Sequence, residues 1–116
     1  MITLKNADQI AKMRESGRLL ARVMRLTSES IVPGKTKLCE LDALAEGLIT
    51  GAGAIPSFKG YGPASNPFPA SVCTSVNDEV VHGVPDDRTL VEGDIVSLDF
   101  GVILDDWHAV DRKSVV

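Results

Sequence analysis

The sequence predicts an α+β domain in which two helices cover one face of an antiparallel sheet. Apolar residues in the first half of the chain recur at three- and four-residue steps, as in amphipathic helices. Runs rich in β-branched residues follow in the second half. Asp105 and Asp106 alone separate the last two of these runs, which indicates a hairpin. The 116 residues are expected to form one domain, 1–116.

The first helix is predicted over residues 7–30. Asn6 is an N-cap candidate and Gln9 follows three residues later, which is the spacing of a capping box. Pro33 and Gly34 end the apolar pattern.

The second helix is predicted to begin after Thr36 and to end near Gly51, because glycine ends helices. Its apolar positions are expected in the core: Leu38, Leu41, Leu44, Ala45 and Leu48.

The segment 56–69 holds four prolines and two glycines among aromatic residues. This composition excludes regular structure and predicts a shaped surface loop of the kind that often lines binding sites. Strands are predicted at residues 71–76, 94–104 and 107–116, with a shorter one at 80–81.

Composition excludes several classes of function. The charged fraction is 24% and the net charge is -4, without a concentrated basic face, so nucleic-acid binding is not expected. No apolar run reaches the roughly 18 residues that a membrane span requires, and a cytoplasmic protein is expected. Cys39 and Cys73 lack the paired spacing of a zinc site and are expected as free thiols.

Asp99 lies inside an apolar predicted strand, where an unpaired carboxylate would be costly to desolvate. A cation is therefore expected beside it. A Lys or Arg from a neighbouring element and a metal ion both satisfy this expectation, and spacing alone leaves both open.

Four consecutive segments resemble the signatures of type I methionine aminopeptidases, in the same order and at similar spacing. They are PSFKGY (56–61), SVCTSVN (71–77), VVHGVP (80–85) and EGDIV (92–96), the last leading to Asp99 and Gly101. The resemblance runs from about Asn6 to His108. It implies that this chain supplies one half of a pita-bread fold, in which two αβ halves enclose a dinuclear metal centre.

The resemblance also implies an enzyme that removes the amino-terminal methionine from newly made proteins. Water held between two divalent ions attacks the peptide bond in that family, and carboxylate-rich sites accept Co, Mn, Fe or Zn. Two Asp, one His and two Glu hold the ions. Asp99 matches the first aspartate of this set through its D-x-G motif.

The resemblance assigns further residues to substrate. His82 matches the histidine that contacts substrate near the scissile bond, although alone it would be an ordinary turn histidine. Phe58, Tyr61, Phe68 and Cys73 match or lie near positions of the methionine side-chain pocket, where thioether and aromatic groups contact favourably. Core packing is the alternative role for Phe68.

The chain departs from the family at the second aspartate, whose position eleven residues after Asp99 holds Val110. A two-residue turn would pair Phe100 with Asp111, so Val110 shares the face of Asp99 and Asp111 does not. Asp111 would become a substitute metal ligand only through a β-bulge.

The family pattern is lost after Asp111, and no candidates follow for the remaining His and two Glu. This is what a frameshift or truncation produces, and we expect an incomplete, inactive chain. The alternative is a non-catalytic half-domain that binds peptide termini or a partner. The sheet edge and the face meant for the missing half would then be exposed, which predicts homo-oligomers.

Overall fold

The computed structural model describes residues 1–116. Two helices precede four strands along the chain. The elements are α1 (Ala7–Glu29), α2 (Leu38–Gly51), β1 (Ile55–Pro56), β2 (Val72–Val76), β3 (Val96–Leu104) and β4 (Trp107–Val115).

Helix α1 begins at the predicted residue because its cap forms. The Asn6 side chain accepts from the Gln9 amide, and the Gln9 side chain accepts from the Asn6 amide, both at 2.9 Å. The Ser16 hydroxyl donates to the carbonyl of Trp107 at 2.9 Å and so ties α1 to the start of β4. The buried residues of this helix are Ser16, Leu20, Val23, Met24 and Thr27.

Helix α2 buries a narrower face than the sequence predicted. Leu38, Leu41, Ala45 and Ile49 are buried, which confirms three of the predicted core positions and adds Ile49. The prediction for Leu44 was wrong, since 38% of this residue is exposed. Leu44 lies roughly 100° round the helix from the centre of the buried face, whereas Leu48, closer to that face, packs at its border.

Strand β3 is the centre of an antiparallel sheet because every other strand pairs with it. It pairs with β4 along its whole length, with β2 at Val96–Phe100 and with β1 at Val102 and Ile103. Strands β1 and β2 therefore share the edge of β3 opposite to β4. The outer edge of β4 has no strand partner.

One predicted strand is absent, and another begins two residues later than predicted. Val80 and Val81 lie exposed in a loop, because the backbone of His82 has φ 59° and turns the chain out of the extended conformation. Strand β3 begins at Val96 rather than at residue 94. The proline-rich segment is irregular as predicted, except that Pro56 ends the two-residue β1.

The core lies between the two helices and one face of the sheet. Leu98, Phe100 and Val102 occupy alternate positions along β3, and their side chains are fully buried in this core. The intervening Asp99 and Gly101 face away from the helices. This arrangement confirms the predicted α+β architecture of two helices on an antiparallel sheet. Neither helix has the length and apolarity needed to cross a bilayer.

Candidate functional site

A cavity of about 600 Å³ opens on the sheet face that points away from the helices. Strands β2, β3 and β4 form its floor, and the loops 57–69 and 77–85 form its sides. The cavity brings together six residues predicted for the site: Phe58, Tyr61, Phe68, Cys73, His82 and Asp99.

The aromatic side of the cavity exists because the loop folds back on itself. The Gly60 amide donates to the Phe68 carbonyl at 2.8 Å, and the Phe68 amide donates to the Tyr61 carbonyl at 2.7 Å. Gly60 has φ 81°, a conformation that glycine adopts without strain. These contacts place Tyr61 and Phe68 on one wall of the cavity. Phe68 is half-buried there.

Phe58 packs over the sheet where β3 lacks a side chain. An ideal Cβ built on Gly101 would overlap the Ser57 hydroxyl and lie 2.8 Å from Cε1 of Phe58. The Ser57 amide donates to the Gly101 carbonyl at 3.1 Å. The glycine of the D-x-G motif thus lets the aromatic loop approach the floor of the cavity.

Cys73 contributes a neutral thiol to the floor. It is buried beside Asp99, its partner across β2 and β3. Burial, with smaller contributions from the nearby carboxylates of Asp99 and Asp42, raises the pKa of Cys73 to about 11. The thiol therefore stays protonated at neutral pH and acts as an apolar contact rather than as a thiolate ligand.

Asp99 lies between Cys73 on β2 and Arg112 on β4, so the three residues form a row across one face of the sheet. Burial raises the pKa of the Asp99 carboxyl, while the positive charge of Arg112 and the nearby His82 oppose the rise. Asp99 is in none of the ion pairs of the structure. Arg112 instead donates to the carbonyl of Val80 at 3.0 Å.

His82 reaches the cavity from a constrained loop. Its φ of 59° is a left-handed conformation that costs a non-glycine residue about 1–2 kcal/mol. The next residue, Gly83, is hydrogen-bonded to β2 through Thr74 and Ser75. Strain of this kind persists where the surrounding structure imposes it, and it concentrates at functional sites.

The residues present do not fit a dinuclear metal centre. Val110 pairs with Gly101 on the face of Asp99, whereas Asp111 pairs with Phe100 on the opposite face. The ladder between β3 and β4 is continuous and has no bulge, so the suggestion that Asp111 substitutes as a ligand is not supported. No three His, Cys, Asp or Glu side chains cluster as metal ligands.

Five further residues line the cavity without having been singled out as pocket residues: Asn66, Pro67, Pro69, Val84 and Val110. Three of them belong to the proline-rich loop, whose composition indicated a binding-site loop but not which residues face inward. Val84 lies in the VVHGVP segment, and that motif is the sequence signal that could have identified it as a lining residue.

Comparisons with known proteins identify the family of this chain. The profile described as "Metallopeptidase family M24" matches residues 11–111. The chain is 49% identical over 110 residues to the methionine aminopeptidase of Clostridium perfringens, covering 94% of this chain and 42% of that protein. It is 47% identical over 109 residues to methionine aminopeptidase 1 of Bacillus subtilis, covering 93% and 42%.

The crystal structure of methionine aminopeptidase from Rickettsia prowazekii aligns with a TM-score of 0.90 at 35% identity, covering 98% of this chain and 44% of that one. This chain thus spans less than half the length of these relatives. Its helices and sheet match half of the pita-bread fold, which confirms the predicted fold. The chain belongs to metallopeptidase family M24.

Proposed function

We propose that this chain forms the methionine-binding side of a methionine aminopeptidase, which removes the amino-terminal methionine from newly made proteins. The observation that carries the proposal is the cavity itself. It combines aromatic rings and a protonated thiol with a half-buried carboxylate and a histidine. Such a site suits an unbranched thioether whose backbone ends in an ammonium group.

Each side chain has a role in this proposal. Phe58, Tyr61 and Phe68 contact the methionine side chain, and Cys73 closes the floor beneath it. His82, at the mouth beside Asp99, hydrogen-bonds the peptide near the bond that is cut.

In the whole enzyme Asp99 would be one ligand of two divalent ions, Co, Mn, Fe or Zn, which supply Lewis acidity and an activated water. Val110 is apolar at the position where the family's second aspartate would lie on the face of Asp99, and Arg112 adds a positive charge on the same face. We therefore expect this chain to bind methionine termini without hydrolysing them.

A second candidate function follows from the same contrast. The candidate pocket residues line one cavity, in which Asp99 is the only carboxylate, so a non-catalytic half-domain that holds peptide termini or a partner is the alternative. In the first function, a complete metal site would add hydrolysis to binding. In the alternative, binding is the whole function.

The test compares binding with hydrolysis. The peptide Met-Ala-Ser is titrated calorimetrically against the chain, with Ala-Ala-Ser as the control, and its cleavage is followed in Mn²⁺ or Co²⁺. We expect selective binding of Met-Ala-Ser and no cleavage. Equal affinity for both peptides would contradict the methionine pocket, and cleavage would contradict the assignment of this chain as inactive.

The cytoplasm is the proposed location, since nascent chains carry their amino-terminal methionine there. Self-association is proposed through the unpaired outer edge of β4, because an open strand of nine residues is a template for another strand. Light scattering tests this, and a monodisperse monomer would contradict it.

A further inference from the structure

Lys59 is the only residue of the aromatic loop, residues 57–69, whose side chain forms a hydrogen bond. Its ammonium donates to both carboxylate oxygens of Glu46, at 2.8 and 3.0 Å. Glu46 belongs to α2 and does not line the cavity. Lys59 lies immediately after Phe58 and two residues before Tyr61, so this ion pair fixes the part of the loop that carries two pocket aromatics.

Glu46 also holds the start of β2, which leads into the floor of the cavity. The Ser71 hydroxyl donates to the same carboxylate at 3.1 Å. One turn earlier on α2, the carboxylate of Asp42 accepts from the amides of Ser71 and Val72 at 2.8 and 3.0 Å. Cys73 follows directly, so α2 supports the floor of the pocket as well as its wall.

The loop has few other ties to the body of the protein. Its backbone bonds between Gly60, Tyr61 and Phe68 are internal to the loop. The Ser57 amide bonds to Gly101 at its beginning. Within the loop itself, residues 57–69, the ion pair of Lys59 is the only hydrogen-bonded link to a helix.

We propose that Glu46 is a positioning residue that sets the width of the methionine pocket, by holding the aromatic loop through Lys59 and the start of β2 through Ser71. One carboxylate thus links one side of the cavity and its floor to the same helix. The identity of the ligand in this inference rests on the proposed function, whereas the hydrogen-bonded geometry around Glu46 does not. A pocket of fixed width accepts an unbranched side chain and excludes a branched one.

Two experiments test the ligand preference and the geometry separately. Lys59→Met removes the charge and keeps most of the length of the side chain, whereas Lys59→Arg retains a cation that can pair with Glu46. Arg18→Met is the matched control, because it breaks the exposed ion pair between Arg18 and Glu15 on α1, outside the cavity. Affinities for L-methioninamide and L-leucinamide are measured by calorimetry for the four proteins.

We expect Lys59→Met to weaken L-methioninamide binding about three- to fivefold, as loss of a partly exposed ion pair allows. The affinity for L-leucinamide should change less than about twofold, so the preference for methionine falls. Lys59→Arg should restore the preference, and Arg18→Met should leave it intact. An unchanged preference in Lys59→Met would overturn the proposal.

Hydrogen exchange tests the geometry without a ligand. The amides of Gly60 and Phe68 should exchange about three- to fivefold faster in Lys59→Met, while the buried Val102 amide of β3 keeps its rate. Unchanged exchange at both loop amides would overturn the positioning role. If the unsubstituted chain bound neither amide ligand, the proposed function would fail, and the exchange rates would still decide whether Glu46 holds the loop.

Discussion

The backbones of Thr74 and Gly83 lie directly against each other. The Thr74 amide donates to the Gly83 carbonyl at 2.8 Å, and a Cβ at Gly83 would overlap the carbonyl oxygen of Thr74. Because Gly83 follows His82, this contact ties the histidine to β2 and so to Cys73 on the cavity floor. The position of His82 therefore depends on the absence of a side chain at the next residue.

Gly83→Ala should destabilise the fold by about 2 kcal/mol, since the added methyl group must displace β2 backbone. Urea denaturation measures the loss, and the His82 imidazole resonance should shift. The control is Gly47→Ala in α2, where a Cβ meets nothing within 4 Å. That substitution should stabilise the helix by up to about 1 kcal/mol. Equal effects at the two glycines would contradict the close approach to Thr74.

His82→Gly should be more stable than His82→Ala by about 1 kcal/mol, because only glycine adopts the left-handed conformation without cost. Thermal or urea denaturation of the pair gives the difference. The same pair at His108, in β4, should have the opposite order, since glycine weakens an extended strand. The same order at both positions would contradict strain at His82.

Asp42→Ala should cost about 2–3 kcal/mol, because the amides of Ser71 and Val72 lose their acceptor. Asp42→Asn keeps a carbonyl oxygen and should remain within about 0.5 kcal/mol of the parent at pH 7. Urea titrations of the three proteins measure these values. A loss in Asp42→Asn as large as in Asp42→Ala would contradict the acceptor role.

Acidic pH should raise the stability of the parent relative to that of Asp42→Asn. Burial raises the pKa of the Asp42 carboxyl, although the amides of Ser71 and Val72 oppose it. The folded protein therefore holds this proton more tightly than the unfolded chain does. Its contribution to stability is present below the unfolded pKa of about 3.9 and is lost as pH rises through the folded value. The stability difference between parent and variant should change over that interval and be constant at higher pH.

Val110→Asp should create a metal site, because it places a second carboxylate on the face of Asp99. Combined with Arg112→Ser, which removes the opposing charge, it should bind Co²⁺ at least about tenfold more tightly than the parent. Visible absorption of Co²⁺ and calorimetry measure this. Lys113→Gln makes a unit charge change on the opposite face and should have no effect. An equal gain in Co²⁺ affinity in Lys113→Gln would show that the change in net charge alone causes the effect.

Cys73 should resist alkylation. With a pKa of about 11 and a buried sulfur, it should react with iodoacetamide at pH 8 at least about tenfold more slowly than the half-exposed Cys39. Mass spectrometry of tryptic peptides follows both sites, and Cys39→Ser isolates the slow one. Unfolding in urea should make the two rates similar. Rapid labelling of Cys73 in the folded protein would contradict its burial.

Local signals predicted much of the fold. The capping residues Asn6 and Gln9 fixed the start of α1, and the two-residue turn at Asp105 and Asp106 fixed the register that pairs Leu104 with Trp107. That register also correctly placed Val110 on the same face of the sheet as Asp99. These features depend on residues close together in the chain, so composition and spacing determine them.

Features that depend on distant contacts were not predictable in this way. Val80 and Val81 have strand propensity, but the turn at His82 and its contact with β2 keep them in a loop. The ion pair between Lys59 and Glu46 joins residues 13 positions apart, and neither charge has a spacing that indicates a partner. Of the candidate site, motif order indicated the cavity residues, whereas the support behind the loop became visible only in three dimensions.

The central position of β3 also has a consequence for the order of events during biosynthesis. Strands β1 and β2 leave the ribosome before β3, and neither has another strand with which to pair. Until residues 96–104 emerge, the helices can form but the sheet cannot, and the apolar face of α2 has little to cover it. The nascent chain thus exposes its future core until then, and this interval is when a chaperone would be needed.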